Sequence, residues 1–156
     1  MDGGDTVEAG PCGVFVQATM DEDPNYWDPE AAQSSKFGAV VAPPLYPSFA
    51  FRRRPGTPDP LDEALGNRDF DGLRGFSESR LPEIPHLPVR MLNGGVEAEF
   101  FAQAKVGDRI TGQTRYADIY EREGRTGRML FIVTETTFTN QDGVVLVKTR
   151  NTAIRR

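Results

Sequence analysis

At 156 residues, 38% apolar and 26% charged, the chain is long enough to bury one core and too short for two. A formal net charge of −5 leaves no surplus of Lys and Arg for phosphates, which excludes a nucleic-acid binder, and no apolar run approaches the ~20 residues that span a bilayer. One cysteine, Cys12, excludes an internal disulfide and a multi-cysteine metal site, and with His86 as the only histidine nothing requires a metal or a cofactor.

The whole chain, 1–156, reads as one domain, and with no signal-peptide pattern at its start its expected place is the cytoplasm. Residues 1–10 are rich in glycine and acid and are expected to fray. In "PCGVFVQATM", residues 11–20, Val14, Phe15 and Ala18 have a spacing that predicts a short helix with that face buried. Cys12 reads as a small buried hydrophobe. "DPEAAQ" is a stronger signal: Asp28 suits an N-cap and Pro29 the first turn, so a helix of one to two turns starts there, with Gly38 placed to end it.

Residues 39–54, "AVVAPPLYPSFAFRRR", combine a proline pair with Leu45, Tyr46, Phe49, Ala50 and Phe51, apolar on nearly every side. That pattern predicts a buried helix starting near Pro43 or Pro44, since Pro47 is tolerable only in a first turn. From 52 to 88 the chain is rich in Pro, Gly and charge and reads as a long excursion, with one small helix between Asp59 and Gly66. Four β-type runs follow: "VEAEFFAQ", "RITGQTRYADIYERE", "RMLFIVTETTFTN" and "VVLVKTRNTAI". "EGRTG" and "NQDG" separate the last three, and the Asp-Gly pair favours a tight hairpin. Within "FIVTETTFT", Ile132, Thr134 and Thr136 alternate with Phe131, Val133 and Glu135, so one face is only partly buried. A buried helix followed by an antiparallel meander is an α+β architecture in which the sheet wraps the helix.

Two stretches carry a resemblance. "DEDPNYWDPEAAQSSKFGAVVAPPLYP" and "LNGGVEAEFFAQAKVGDRITGQTRYADIYEREGRTGRMLFIVTETTFTNQDGVVLVKTRNTAIRR", roughly three fifths of the chain, resemble the N-terminal hot-dog module of MaoC-like acyl dehydratases. The resemblance implies a hot-dog fold that pairs with a second hot-dog subunit, in a homo- or heterodimer. It also implies action on acyl thioesters of coenzyme A or acyl carrier protein, adding water to an enoyl group or removing it. In the family's hydratases an Asp and a His five residues apart overhang the central helix and activate one water, because water is too weak a nucleophile at neutral pH. A backbone N–H at the helix start polarises the thioester carbonyl.

Position by position the motif is edited. Asp21 stands where the family's Asp does, Asp23 at its Asn, and Pro24 at its Pro; Tyr26 stands at the histidine. At the helix start the family's Val-Ala-His-Gly is Val41, Ala42, Pro43 and Pro44 here, so Pro44 replaces the glycine whose N–H is the oxyanion donor, and proline has none. A phenol with an ordinary pKa near ~10 is a poor base at neutral pH.

The candidate catalytic residues are therefore Asp21 and Tyr26, with Tyr26 acting as a neutral hydrogen-bond donor. Asp21 also reads as a loop carboxylate that caps a turn or faces water, and Tyr26 and Trp27 as packing that pins the overhang. Pro44, Tyr46, Asn93 and Gly94 are the candidate substrate-binding residues, the last two bordering the family's acyl tunnel. The consecutive glycines after Asn93 also mark a close backbone approach or a bulge. His86 reads as an exposed loop residue, and Arg52, Arg53 and Arg54 either meet coenzyme A phosphates or solvate a helix end. The expected function is that of a non-catalytic or accessory subunit of a heteromeric enoyl-CoA hydratase. The alternatives are a homodimeric dehydratase, isomerase or cyclase using Asp21 and Tyr26, and a binding protein that holds a thioester or small ligand without turnover.

Overall fold

The computed structural model describes residues 5–50, 81–82, 84–88, 90–125 and 127–156, with Gly56 and Gly66 as isolated positions. The helix expected between Asp59 and Gly66, and the arginine run at 52–54, lie outside the described residues. Five strands form one sheet: β1 (Asp5–Thr6), β2 (Met91–Phe100), β3 (Arg109–Gly124), β4 (Gly127–Thr139) and β5 (Val145–Arg155), in the order β1-β3-β4-β5-β2. The last three runs fall where the alternating β-branched and aromatic residues put them. β2 starts well before its run, at Met91 instead of Val96, so that "LNGG" lies inside the strand.

β1 pairs antiparallel with β3 through Asp5↔Ile110 and Thr6↔Arg109, and Val7 is buried behind it. The end expected to fray is thus anchored from Asp5 onward, because its backbone is needed to complete the edge of β3. The β4–β5 hairpin is built by Asn140, whose Oδ1 accepts the Asp142 and Val144 N–H groups at 3.1 and 2.9 Å. Gly143, in the left-handed region at φ 77°, closes it.

Two helices precede β2. α1 (Ala9–Thr19) buries Cys12 and Val16, one turn apart, while Val14 and Ala18 face solvent. The helix was expected, but its buried stripe lies two residues out of phase with the expected one. Phe15 sits at the flank, edge-on to Tyr46 at 5.6 Å and tilted against Phe49 at 5.3 Å. α2 (Pro29–Ser34) starts as expected, with Asp28 Oδ1 accepting from the Glu30 and Ala31 N–H groups. It stops at Ser34, four residues before Gly38, when Ser35 turns extended.

The helix expected from Pro43 or Pro44 is, among the described residues, a single 3-10 turn at Tyr46–Ser48. In an α-helix the Pro43 carbonyl would accept from residue 47, but Pro47 has no N–H, so Tyr46 donates to it at 2.9 Å instead. Ser48 reinforces the tighter turn by donating its Oγ to the Leu45 carbonyl at 2.7 Å. Tyr46, Pro47 and Ala50 are buried, but Leu45 and Phe49 are exposed, so the segment is apolar all round without being enclosed.

The chain falls into two compact units. The first comprises Met1–Arg52, Ala98–Gln113 and Thr137–Lys148. Its core joins Val7, Cys12, Ala42, Tyr46, Ile110, Phe138, Leu146 and Val147. The second comprises Arg53–Glu97, Thr114–Thr136 and Thr149–Arg156. Here Ile132 is buried together with Glu135 and Thr149. In this unit Arg115 reaches Glu135, so those two share a face, and Tyr120 stacks on Phe131 at 4.9 Å, so those two do as well. Glu135 and Phe131 are an even number of residues apart, whereas Arg115 and Tyr120 are an odd number apart. β3 therefore carries one extra residue between Arg115 and Tyr120, a bulge.

Candidate functional site

The overhang between α1 and α2 is made by carboxylates that cap their own backbone. α1 ends with Met20 in the left-handed region at φ 53°, and the Asp21 N–H returns to the Val16 carbonyl at 3.2 Å. Asp21 Oδ1 accepts the Asp23 N–H at 3.1 Å. Asp23 Oδ1 accepts the Asn25 N–H at 2.9 Å and its side-chain N–H at 2.7 Å, opening a 3-10 turn at Pro24–Tyr26. Each short acidic side chain reaches two or three residues ahead, which is what Asp does in a turn.

That sequence of turns drives Tyr26 inward. The side chain packs with Val16 and Val41, Phe37 leaning on the cluster, and the residue is 9% exposed. Its Oη accepts from Gln103 Nε2 at 3.4 Å, which leaves the phenol proton to donate. Burial pushes the phenol above its ordinary range, and the charges of Asp21 and then Asp23 push it the same way. The group is a neutral phenol with a carboxylate in electrostatic reach. Next to it in sequence, Asn25 Oδ1 is buried with no hydrogen-bond partner among the described residues. Trp27, expected to share in pinning the overhang, is exposed.

Behind the overhang, residues 40–42 run beside 104–106: Ala42 N–H donates to the Ala104 carbonyl at 2.8 Å and Val106 N–H to Val40 at 3.0 Å. Pro43 and Pro44 follow, neither with an N–H to offer. Tyr46 is 4% exposed and lies in the apolar core against Phe15. Asn93 and Gly94 belong to the other unit. Asn93 Oδ1 accepts the Gly95 N–H at 2.9 Å, and Gly95 sits at φ 118°. A Cβ on Gly94 would stand 2.8 Å from Thr152 Cγ2 and 3.0 Å from its carbonyl oxygen, so the glycine permits close approach to β5. Of the two readings of these glycines, a close approach or a bulge, the close approach is present at Gly94. His86 lies exposed in a turn, at φ 58°.

Sequence reasoning passed over two sets of residues. Gln103, the partner of Tyr26, is a polar residue directly after the apolar stretch "FFA", and that break was its only signal. Glu135 is a buried carboxylate in the other unit. Arg115 donates to its Oε1 from Nη2 at 2.7 Å and Nε at 3.0 Å, and Arg150 to its Oε2 from Nε at 2.8 Å. These hydrogen bonds, Arg150's foremost, hold the carboxyl below its ordinary range. Among the described residues no helix is long and apolar enough to cross a membrane.

Known proteins share this fold. A family model described as "FAS1-like, dehydratase domain region" matches residues 3–149. No curated protein matches the chain. Among solved structures, the HadBC (3R-hydroxyacyl-ACP dehydratase) complex of Mycobacterium tuberculosis superposes with a TM-score of 0.64 at 18% identity, over 99% of this chain and 91% of that one. The ChsH1–ChsH2 complex of the same organism gives 0.69 at 18% identity, over 98% and 84%. A MaoC-like dehydratase from Rhodospirillum rubrum gives 0.60 at 17%, over 100% and 94%. What this chain shares with them is the hot-dog fold, and two of these three structures are complexes of unlike subunits by name.

Proposed function

The chain belongs to the FAS1-like dehydratase family, and from that premise we propose that it is the accessory subunit of a heteromeric enoyl-thioester hydratase or dehydratase. It would help to line the acyl site of an acyl-CoA or acyl-carrier-protein thioester, while a second hot-dog subunit supplies the acid–base pair. The observation that carries this reading is the state of Tyr26. At the position of the family's base stands a buried phenol whose ionisation is opposed by burial and by two carboxylates. A group in that state takes no proton from water at neutral pH.

Pro44 supports the same reading, since an oxyanion needs a donor already aimed at it and proline offers none. Leu45 carries the first N–H after the two prolines, and that group makes no hydrogen bond among the described residues. The overhang keeps polar groups suited to holding a ligand: the phenol proton of Tyr26 as donor and Asn25 Oδ1 as acceptor. Asp21 then shapes the turn and does not turn substrate over.

A second reading, a homodimeric enzyme with altered chemistry, draws on the charge of Asp21 being felt at Tyr26. There Asp21 is the acid–base residue and Tyr26 a donor to the substrate. The two separate in one experiment. The chain is mixed with a hot-dog subunit bearing an intact Asp–His pair, and enoyl-CoA hydration is followed with Asp21→Asn in this chain. In the accessory role the mixture turns over and Asp21→Asn leaves the rate within about twofold. Loss of the rate with Asp21→Asn, in a chain that still folds, would transfer the chemistry to Asp21.

A further inference from the structure

Gln103 sits on a segment whose backbone is pinned on both sides of it. The Ala102 N–H donates to the Leu146 carbonyl at 3.2 Å, and the Ala104 carbonyl accepts the Ala42 N–H at 2.8 Å. Ala104 belongs to the apolar core of the first unit, and Ala102 packs against that core. Gln103, between them, reaches instead for Tyr26, in the separate cluster with Val16 and Val41. Both residues lie in the first unit, 77 positions apart in the chain.

A phenol hydroxyl has one proton to give and an oxygen that accepts, and a carboxamide can answer either with its N–H end or with its carbonyl. Here Nε2 faces Oη at 3.4 Å, so Gln103 fills the accepting side of the hydroxyl. Turned over, Oε1 would take the phenol proton, and Tyr26 would have nothing left to give. The charges of Asp21 and Asp23 act at Tyr26, and a negative field draws the positive, N–H end of an amide dipole toward it. Among the described residues no acceptor takes the Tyr26 proton.

We propose that Gln103 is a positioning residue: it fixes Tyr26 as a hydrogen-bond donor and reserves the phenol proton for an acceptor oxygen of the ligand, such as a carbonyl. A group that can only donate, such as an ammonium, would meet an oxygen already engaged and is selected against. The proposal rests on the reading that this chain helps to line the acyl site, and adds to it the residue that sets the polarity of the contact.

The Raman doublet of tyrosine reads that polarity, since its intensity ratio is highest for a hydroxyl that only accepts and lowest for one that only donates. Subtracting the spectrum of Tyr26→Phe, which keeps the ring, isolates one of the four tyrosines. The native minus Gln103→Met difference carries the same sign without needing that variant. In the full chain without ligand, Gln103→Met should lower the ratio. Gln103→Glu, whose ionised carboxylate takes the phenol proton, should carry it to the donating end. An unchanged ratio in Gln103→Met, or a Tyr26 that only donates in the native chain, would overturn the proposal.

In the mixture with a subunit bearing the Asp–His pair, Gln103→Met should raise KM for crotonyl-CoA about two- to tenfold, the worth of one hydrogen bond, with kcat changing less. Because Gln103 acts through Tyr26, adding Gln103→Met to Tyr26→Phe should cost nothing further; additive losses would assign Gln103 a structural role only. The spectra are taken on the chain alone, so they decide the role of Gln103 whether or not the two-subunit reading survives, whereas that reading fails only on turnover.

Discussion

In the first unit, Met1–Arg52 with its strand segments, the buried side chains are apolar and the acids lie outside them. In the second, the carboxylate of Glu135 is itself buried, closed over by two guanidinium groups. The acids of the first unit serve their own turns: Asp21, Asp23 and Asp28 bind N–H groups two or three residues ahead. Glu135 is held from fifteen and twenty residues away, across two neighbouring strands. The same chemical group is a local punctuation mark in one region and a cross-strand tie in the other. A crowd of carboxylates is therefore a poor guide to a reactive one, and a lone carboxylate inside an apolar strand is the better place to look for long-range partners.

The difference makes the units respond to different insults. Leu146, 1% exposed, belongs to the apolar core of the first unit, and Leu146→Ala should cost about 2–5 kcal/mol in denaturant unfolding. A loss below about 1 kcal/mol would mean that this core is less closely packed than its burial indicates. Asp28→Ala should remove about 1 kcal/mol, the worth of one helix cap, and Asp28→Asn much less.

The smallest effect is confined to acid. With a carboxyl lowered in the folded state, the ties of Glu135 are complete above the ordinary value of about 4.3 and are lost as pH falls through the lower folded one. Both arginines remain more than half exposed, so solvent moderates the loss. Protection from amide exchange along residues 114–136, after correction for the intrinsic pH dependence of exchange, should fall with acid in this window, and Glu135→Gln should flatten that dependence. Equal acid sensitivity in the two proteins would remove Glu135 from the account of the second unit.

What could be read in advance follows the same division. Caps, hairpins and strand runs were legible because their causes sit within a few residues: Asp28 before Pro29, Asp142-Gly143, the alternation in "FIVTETTFT". The edited motif rests on the resemblance, in which Tyr26 and Pro44 are read as single substitutions in a fixed spacing. The 3-10 turn in place of a helix at 43–51 was missed because Pro47 was weighed as a tolerated helix residue, and not as the missing donor to Pro43. The buried stripe of α1 came out in the wrong phase because Val14 and Val16 are equally apolar, and only the neighbours decide between them. The tie among Arg115, Glu135 and Arg150 needs the sheet order before it can be seen at all.

The family model places this chain with FAS1-like dehydratases, and in the accessory reading proposed above Tyr26 and Pro44 withhold two parts of the family's chemistry. The most direct measurement is hydration of crotonyl-CoA and longer enoyl-CoAs by the purified, folded chain alone. No turnover above the uncatalysed rate is expected, whatever the acyl length. Robust hydration that disappears with Asp21→Asn would contradict the accessory role and return the active site to this chain.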